Sequence, residues 1–367
     1  MFERFRGAGT VLAGSLALLL AACGGGGGGG GSGPNGSAKS CSEQFSAEAA
    51  QADSASCQPE YYTQCDSLDL RLPVNSMNPS ECTKDGADGG VVAEKGSAGG
   101  ASYDMVRPAN GGKKGLYVAL HWRSGNGATM INNMRLSELA KARDLTVVAP
   151  DSPYKILALA LSDWDYEGAP EVISAVIADA KARAGLPTDV PVILAGVSSG
   201  AAAANRFFCA GNTGIKGLLL VASGKISEAE STACLSAAAA AAKAATVSPV
   251  AVVLVEGSSD PAYEDTVVNY GHFRTINGCP GAGTTVVLNE QVDINYSNNC
   301  GSGHGAAMVT VKDSGHNWPG MDRPIPPNPL TDLIPGGSSS GAMSIFGKVS
   351  YSFDATLQGY DLVRSLD

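Results

Sequence analysis

The chain has 367 residues, 44% of them hydrophobic and only 16% charged, with a formal net charge of −10. That apolar content supports a sizeable core and excludes a mainly disordered protein, although average soluble domains carry about 25% charged residues. The acidic balance, 25 basic against 35 acidic residues, repels phosphate backbones and argues against a nucleic-acid partner.

The first residues read as an address. Arg4 and Arg6 precede the apolar stretch Val11 to Leu20, which ends in Leu20-Ala21-Ala22-Cys23. A basic start, a short apolar core and small residues before the cut describe a secretory signal. The Cys directly after Leu-Ala-Ala resembles the lipobox of bacterial lipoproteins. That resemblance implies removal of residues 1–22, lipidation of Cys23 and a membrane anchor at the cell surface or the periplasm-facing outer membrane. Residues 23–40 follow as a tether, because the unbroken run Gly24 to Gly31 cannot pack. Residues 41–100 form a polar, Cys-rich segment with weak periodicity.

Nine Cys less the anchor leave eight: Cys41, Cys57, Cys65, Cys82, Cys209, Cys234, Cys279 and Cys300. An even number in an exported chain reads as disulfides. No pair has CxxC spacing and the chain has four His, so no zinc site is expected.

From residue 101 to 367 apolar runs rich in β-formers alternate with helical ones. The pairs are Leu116–His121 with Ile131–Arg143, Leu145–Ala149 with Pro170–Ala184, and Val190–Ala195 with Ser199–Ala210. They continue with Leu218–Ala222 and Cys234–Ala245, Val250–Glu256 and Tyr263–Asn277, and Ala307–Lys312 and Asp354–Leu366. Near-continuous apolar strands separated by helices predict an α/β domain, with a mostly parallel sheet covered on both faces.

The sharpest motif is Gly196-Val197-Ser198-Ser199-Gly200. In a G-x-S-x-G elbow the serine sits on a tight strand-to-helix turn with its hydroxyl above the sheet. With 47 glycines in the chain, chance yields this pattern on the order of once, and Gly337-Ser338-Ser339-Ser340-Gly341 is a second match. Context separates them: Ser198 follows a strand and opens an Ala-rich helix, whereas Ser339 lies in a Pro/Gly/Ser loop. A serine nucleophile needs a base, and the base needs an orienting acid. Strand 250–256 runs into Asp260, and the last strand runs into Gly315-His316-Asn317-Trp318. The order Ser198, Asp260, His316 is that of α/β-hydrolases. Glu256 is the alternative acid. His272 falls inside a helix, His304 precedes the last strand, and His121 ends the first strong strand, where it shapes the following loop.

At these residues the sequence resembles the polyhydroxybutyrate depolymerase and feruloyl esterase group of secreted α/β-hydrolases, over about residues 101–367. The likeness rests on Tyr103 to His121, Ala149-Pro150-Asp151 with Trp164, the elbow, and Gly257 to Pro261. It extends to Asn277-Gly278-Cys279, Gly315-His316-Asn317-Trp318-Pro319-Gly320 and the closing Phe353-Asp354-Ala355-Thr356. It implies disulfides Cys209–Cys234 and Cys279–Cys300, and oxyanion donors from the backbones of Ser199 and of Trp122 or Arg123. Two departures stand out: Trp122 replaces the usual Gly after His121, and Ala201 replaces a second Gly after the elbow. Trp122, Trp164 and Trp318 all fall on loops at the expected catalytic edge, so at least one is expected to touch substrate.

These readings predict a cofactor-free serine hydrolase of hydroxyacyl or aromatic acid esters, acting outside the cell. A serine peptidase or amidase on the same fold is the alternative enzyme. An inactive surface binding lipoprotein is the alternative without chemistry.

Overall fold

The computed structural model describes residues 91–156, 161–164, 167–211, 214–224, 247–321 and 349–367. The expected signal and tether with Cys23, the four cysteines Cys41, Cys57, Cys65 and Cys82, the segment carrying Cys234, and Ser339 lie outside the described residues.

In chain order the elements are β1 (Val91–Ala98), β2 (Ala101–Pro108), β3 (Leu116–Leu120), α1 (Gly127–Asn133), α2 (Leu136–Arg143) and β4 (Thr146–Pro150). Then come a small ladder of β5 (Lys155–Ile156) with β6 (Leu161–Ser162), α3 (Ala169–Arg183), β7 (Val192–Val197), α4 (Ser199–Cys209) and β8 (Gly217–Val221). The chain closes with β9 (Ala251–Gly257), α5 (Tyr263–Ile276), β10 (Thr284–Asn289), β11 (Val292–Ser297), β12 (Ala306–Val311) and α6 (Leu357–Ser365).

One sheet runs β1-β2-β4-β3-β7-β8-β9-β12-β11-β10. Its six central strands, β4 to β12, are parallel, and antiparallel pairs flank them on both sides. Strands β3, β7, β8 and β9 are buried at every residue, as a sheet covered on both faces requires. Leu116, Val118, Val192 and Leu194 pack with Val176, Phe207 and Phe273 of α3, α4 and α5. The alternate residues Tyr117, Ala119, Ile193 and Ala195 pack with Ile131, Leu139 and Val363 of α1, α2 and α6. Each buried Val or Leu contributes about 1.5–3 kcal/mol, so both layers are needed to hold the strands.

Three features differ from the sequence reading. The sheet begins at Val91 rather than near residue 101: β1 pairs with β2 from Val91↔Pro108 to Ala98↔Ala101. Its short side chains and the Lys, Glu and Ser among them hid the strand, whose turn is made by Gly99 and Gly100 at φ +61° and +82°. The single helix expected over 131–143 is two, broken where Arg135 adopts φ +55°. The β10–β11 hairpin was not anticipated, and its outer strand is exposed at all six residues. Of the two expected disulfides, Cys279–Cys300 is formed and ties the end of α5 to the approach to β12. Cys209 is disulfide-bonded; its expected partner Cys234 lies outside the described residues.

Candidate active site

Ser198 stands at the end of β7 with φ +55° and ψ −121°, a backbone conformation that costs a non-glycine residue energy and persists only when its surroundings enforce it. Here the sheet does so. Ser198 N–H still donates to Val221 O of β8 at 3.0 Å, and one residue later α4 begins, with Ala202 N–H on Ser198 O at 3.1 Å. The two elbow glycines are steric necessities. A Cβ at Gly196 would lie 2.3 Å from Gly200 O, and one at Gly200 would lie 2.3 Å from Leu120 O and 2.6 Å from His121 O. The elbow is therefore pressed against the end of β3. Ala201, by contrast, fits as a buried residue, so that departure from the family pattern is accommodated.

Asp260 follows β9. Gly257 admits no side chain, because a Cβ would meet Ser314 O at 2.2 Å and Gly315 O at 2.6 Å. Ser258 N–H to Val311 O (2.9 Å) and Ser259 N–H to Ser314 O (3.0 Å) stitch this loop to the one carrying His316. Asp260 Oδ1 accepts Ala262 N–H at 2.9 Å, and Oδ2 lies 2.7 Å from His316 Nδ1. His316 Nε2 lies 2.9 Å from Ser198 Oγ. With a carboxylate on Nδ1, that nitrogen carries the proton and Nε2 is left to accept from the hydroxyl. Burial acts to raise the Asp260 pKa, but the bond and charge of His316, with donors from Glu256 and Ala262, hold it below the usual carboxylate range. Ser198, His316 and Asp260 thus form one chain, across 118 and 56 residues of sequence.

The other candidates lie elsewhere. Glu256 is buried on β9 and accepts from Thr266 Oγ1 at 2.6 Å; His316 turns to Asp260 instead. His272 sits on α5. His304 precedes β12, at the opposite end of that strand from His316, and pairs with Asp367.

His121 is fully buried. Its Nδ1 donates to Trp122 O at 2.6 Å and its Nε2 accepts Ser152 N–H at 3.1 Å. Burial pushes its pKa down to about 4, consistent with a neutral ring using one nitrogen each way. Trp122 O also accepts Gly125 N–H at 2.9 Å. In a trans peptide the N–H opposes the C=O, so the Arg123 N–H is directed away from the His121 ring. Ser199 is the first residue of α4, where an N–H has no partner within the helix.

The tryptophans correct the sequence reading. Trp164 and Trp318 are fully buried and Trp122 nearly so; none offers a face for a substrate to stack on. Trp164 packs against His121, ring centroids 5.6 Å apart. Trp318 Nε1 donates to Thr356 Oγ1 at 3.0 Å, and Thr356 Oγ1 donates to Met134 O at 2.6 Å.

No local pattern signals what braces the His316 loop. Arg135, 3% exposed, donates to Glu138 at 2.9 Å, to Gly320 O at 3.2 Å and to Asp354 at 3.4 Å. Ala355 N–H bonds Pro319 O, and Gly320 N–H bonds Ser350 O. The closing Phe-Asp-Ala-Thr segment is thus a latch on the loop that presents His316. Arg135 itself adopts φ +55°, at the break between α1 and α2.

No protein-family model matches the chain, and no curated protein matches it. Among solved structures it is similar to the acetyl xylan esterase from Aspergillus awamori, at 15% identity and a TM-score of 0.45, covering 62% of this chain and 93% of that one. It is similar to esterase PE8 at 19% identity and a TM-score of 0.41, covering 58% and 90%. A mutant of the feruloyl esterase module from Clostridium thermocellum, complexed with sinapinate, is 14% identical with a TM-score of 0.40, covering 62% and 81%. The parallel core in the order β4-β3-β7-β8-β9-β12, the antiparallel β2 beside it and the elbow after β7 make this an α/β-hydrolase fold.

Proposed function

We propose that this chain is a serine carboxylic-ester hydrolase. One observation carries the reading: Ser198, in a strained elbow, lies 2.9 Å from Nε2 of a histidine whose other nitrogen is held by a buried carboxylate. In the proposed cycle Ser198 Oγ attacks the ester carbonyl while His316 Nε2 takes its proton. Asp260 holds the imidazole tautomer and stabilises the cation. The oxyanion is received by the backbone N–H groups of Ser199 and Arg123, each worth about 3–4 kcal/mol. Collapse expels the alcohol, which regains the proton from His316, and leaves an acyl ester on Ser198. Water, activated by the same histidine, then releases the acid.

The proposed substrates are soluble hydroxyacyl oligomers or aromatic acid esters. The proposed location is outside the cytoplasm, on a lipid anchor at Cys23, where diffusing molecules reach the enzyme more readily than a crystalline film does. The Cys279–Cys300 disulfide supports an oxidising compartment.

The test is hydrolysis of p-nitrophenyl butyrate by purified protein and by Ser198→Ala. Turnover that S198A abolishes supports the reading; equal rates in the two proteins refute it. Acid release from hydroxybutyrate oligomers, a feruloyl ester and polyester film, at equal ester concentration, ranks the substrates. Faster turnover on film would overturn the soluble-ester assignment.

A further inference from the structure

The proposed cycle makes no use of Glu256, a buried acid close to Asp260. Glu256 lies on β9 with 1% of its surface exposed, next to the loop that carries Asp260. Its Oε2 accepts from Thr266 Oγ1 of α5 at 2.6 Å, and Ser223 Oγ lies 3.3 Å beyond that hydroxyl. Its Oε1 is buried and receives no donor among the described residues. The carboxyl groups of Glu256 and Asp260 interact directly.

Two adjacent buried carboxylates cannot both be ionised at modest cost. Asp260 has the better claim to the charge, since it holds both the His316 ring and a backbone N–H. An ionised Glu256 would keep a buried anionic oxygen without a donor, beside a second anion. A protonated Glu256 resolves both problems. Oε2 becomes the carbonyl that accepts from Thr266, and Oε1 becomes a hydroxyl able to donate to Asp260.

We propose that Glu256 is a positioning residue, a neutral carboxylic acid that donates its proton in a hydrogen bond to Asp260 and so fixes the carboxylate that orients His316. The groups facing it are Asp260, with His316 beyond, the Thr266 hydroxyl from α5 and the Gly257 N–H. Thr310 of β12 is its sheet neighbour. Burial first, then the bond and charge of Asp260, push its pKa well above the usual carboxylate range, in keeping with this placement. The chain then runs Thr266, Glu256, Asp260, His316, Ser198.

This inference rests on the hydrolase reading, so its test uses a readout that needs no substrate. The rate at which a fluorophosphonate modifies Ser198 is measured against pH for wild type, Glu256→Gln and Glu256→Ala. The amide in E256Q is still a donor. It should slow the reaction by only about threefold and leave the acid limb in place, since no charge has been removed. E256A should slow it about tenfold or more and move the acid limb up by roughly half a pH unit, because Asp260 loses a donor. An acid limb that moves down in E256Q shows Glu256 ionised and overturns the proposal. Unchanged rates and limbs in both variants reduce the residue to packing and overturn it as well. Infrared difference spectra of the folded wild type and E256Q at neutral pH decide the protonation state independently. The carbonyl band of a protonated carboxyl, lost in E256Q, is expected; its absence from wild type refutes the neutral acid. If p-nitrophenyl butyrate is not turned over while that band is present, the hydrolase reading fails and the neutral Glu256 stands.

Discussion

Replacing Gly200 by alanine isolates the contact that brings the elbow to the end of β3. Helix propensity alone would favour the change, by about 1 kcal/mol in a helix interior. The packing forbids it: the new Cβ would lie 2.3 Å from Leu120 O, 2.6 Å from His121 O and 2.7 Å from Leu120 C. All three are backbone atoms, so no side chain can swing aside. Ordinary contact needs about 3.3–3.5 Å, and α4 must move from β3 by about 1 Å. Overpacking of this kind costs about 1–3 kcal/mol, a fall in Tm of a few degrees for a domain of this size. The larger effect is on the chemistry. Ser198 and Ser199 ride on the elbow, while Trp122 and Arg123 ride on the end of β3, so the shift separates the proposed nucleophile from a proposed oxyanion donor. A misplacement of about 1 Å costs roughly a hundredfold in rate. We expect kcat/KM on p-nitrophenyl butyrate to fall about a hundredfold in Gly200→Ala, with the fold intact by circular dichroism. Gly271→Ala is the control: its Cβ meets nothing within 4 Å on α5, so stability should rise by about 0.5–1 kcal/mol with turnover unchanged. A G200A protein that hydrolyses the ester within threefold of wild type would refute the steric account of the site.

Three further outcomes follow from buried groups and the disulfide. His121 titrates near 4 in the fold against about 6.5 in the unfolded chain; between those values only the unfolded chain takes the proton. Stability should therefore fall as pH drops through this window, by roughly 3 kcal/mol in all, and urea unfolding of His121→Gln at pH 7 and 4.5 should show a loss smaller by about 2 kcal/mol. Asp104 has the opposite sign: burial raises its pKa to about 6, so its contribution is present at low pH and is lost as pH rises through 6. Asp104→Asn should be about 1–2 kcal/mol more stable than wild type at pH 7.5 and equal to it at pH 4; a destabilised variant at pH 7.5 would mean that the Lys95 pair at 3.1 Å outweighs burial. Replacing Cys279 and Cys300 together by alanine opens a loop of 21 residues' separation and should lower unfolding stability by about 3 kcal/mol, read from the urea midpoint.

Local pattern made the parallel core legible, because its strands are buried on both faces and read as unbroken apolar runs. The elbow was legible too, since Gly196 and Gly200 are there for steric reasons that leave a spacing in the sequence. Asp260 and His316 could be placed by topology, each on a loop leaving a strand. What escaped was whatever depended on distant partners. The break at Arg135 has no local signal, and the carboxylate that Arg135 reaches, Asp354, lies 219 residues away. Trp122, Trp164 and Trp318 sit on the edge that the sequence indicated, yet tertiary packing turns all three inward. The β1 and β10 strands lie at the sheet margins, where one-sided contact leaves only a weak apolar alternation to read.

The latch on the His316 loop sets an order in time. The elbow is a local unit of β7, α4 and the neighbouring β8, and it can form as soon as those segments meet. The loop that presents His316 is braced by Thr356 on Met134, 222 residues apart in sequence, and by Arg135 on Asp354. Contacts of such long range close late in folding. On this ordering Ser198, the proposed nucleophile, is positioned before the histidine proposed as its base. During refolding, ester hydrolysis should lag behind the recovery of helical signal.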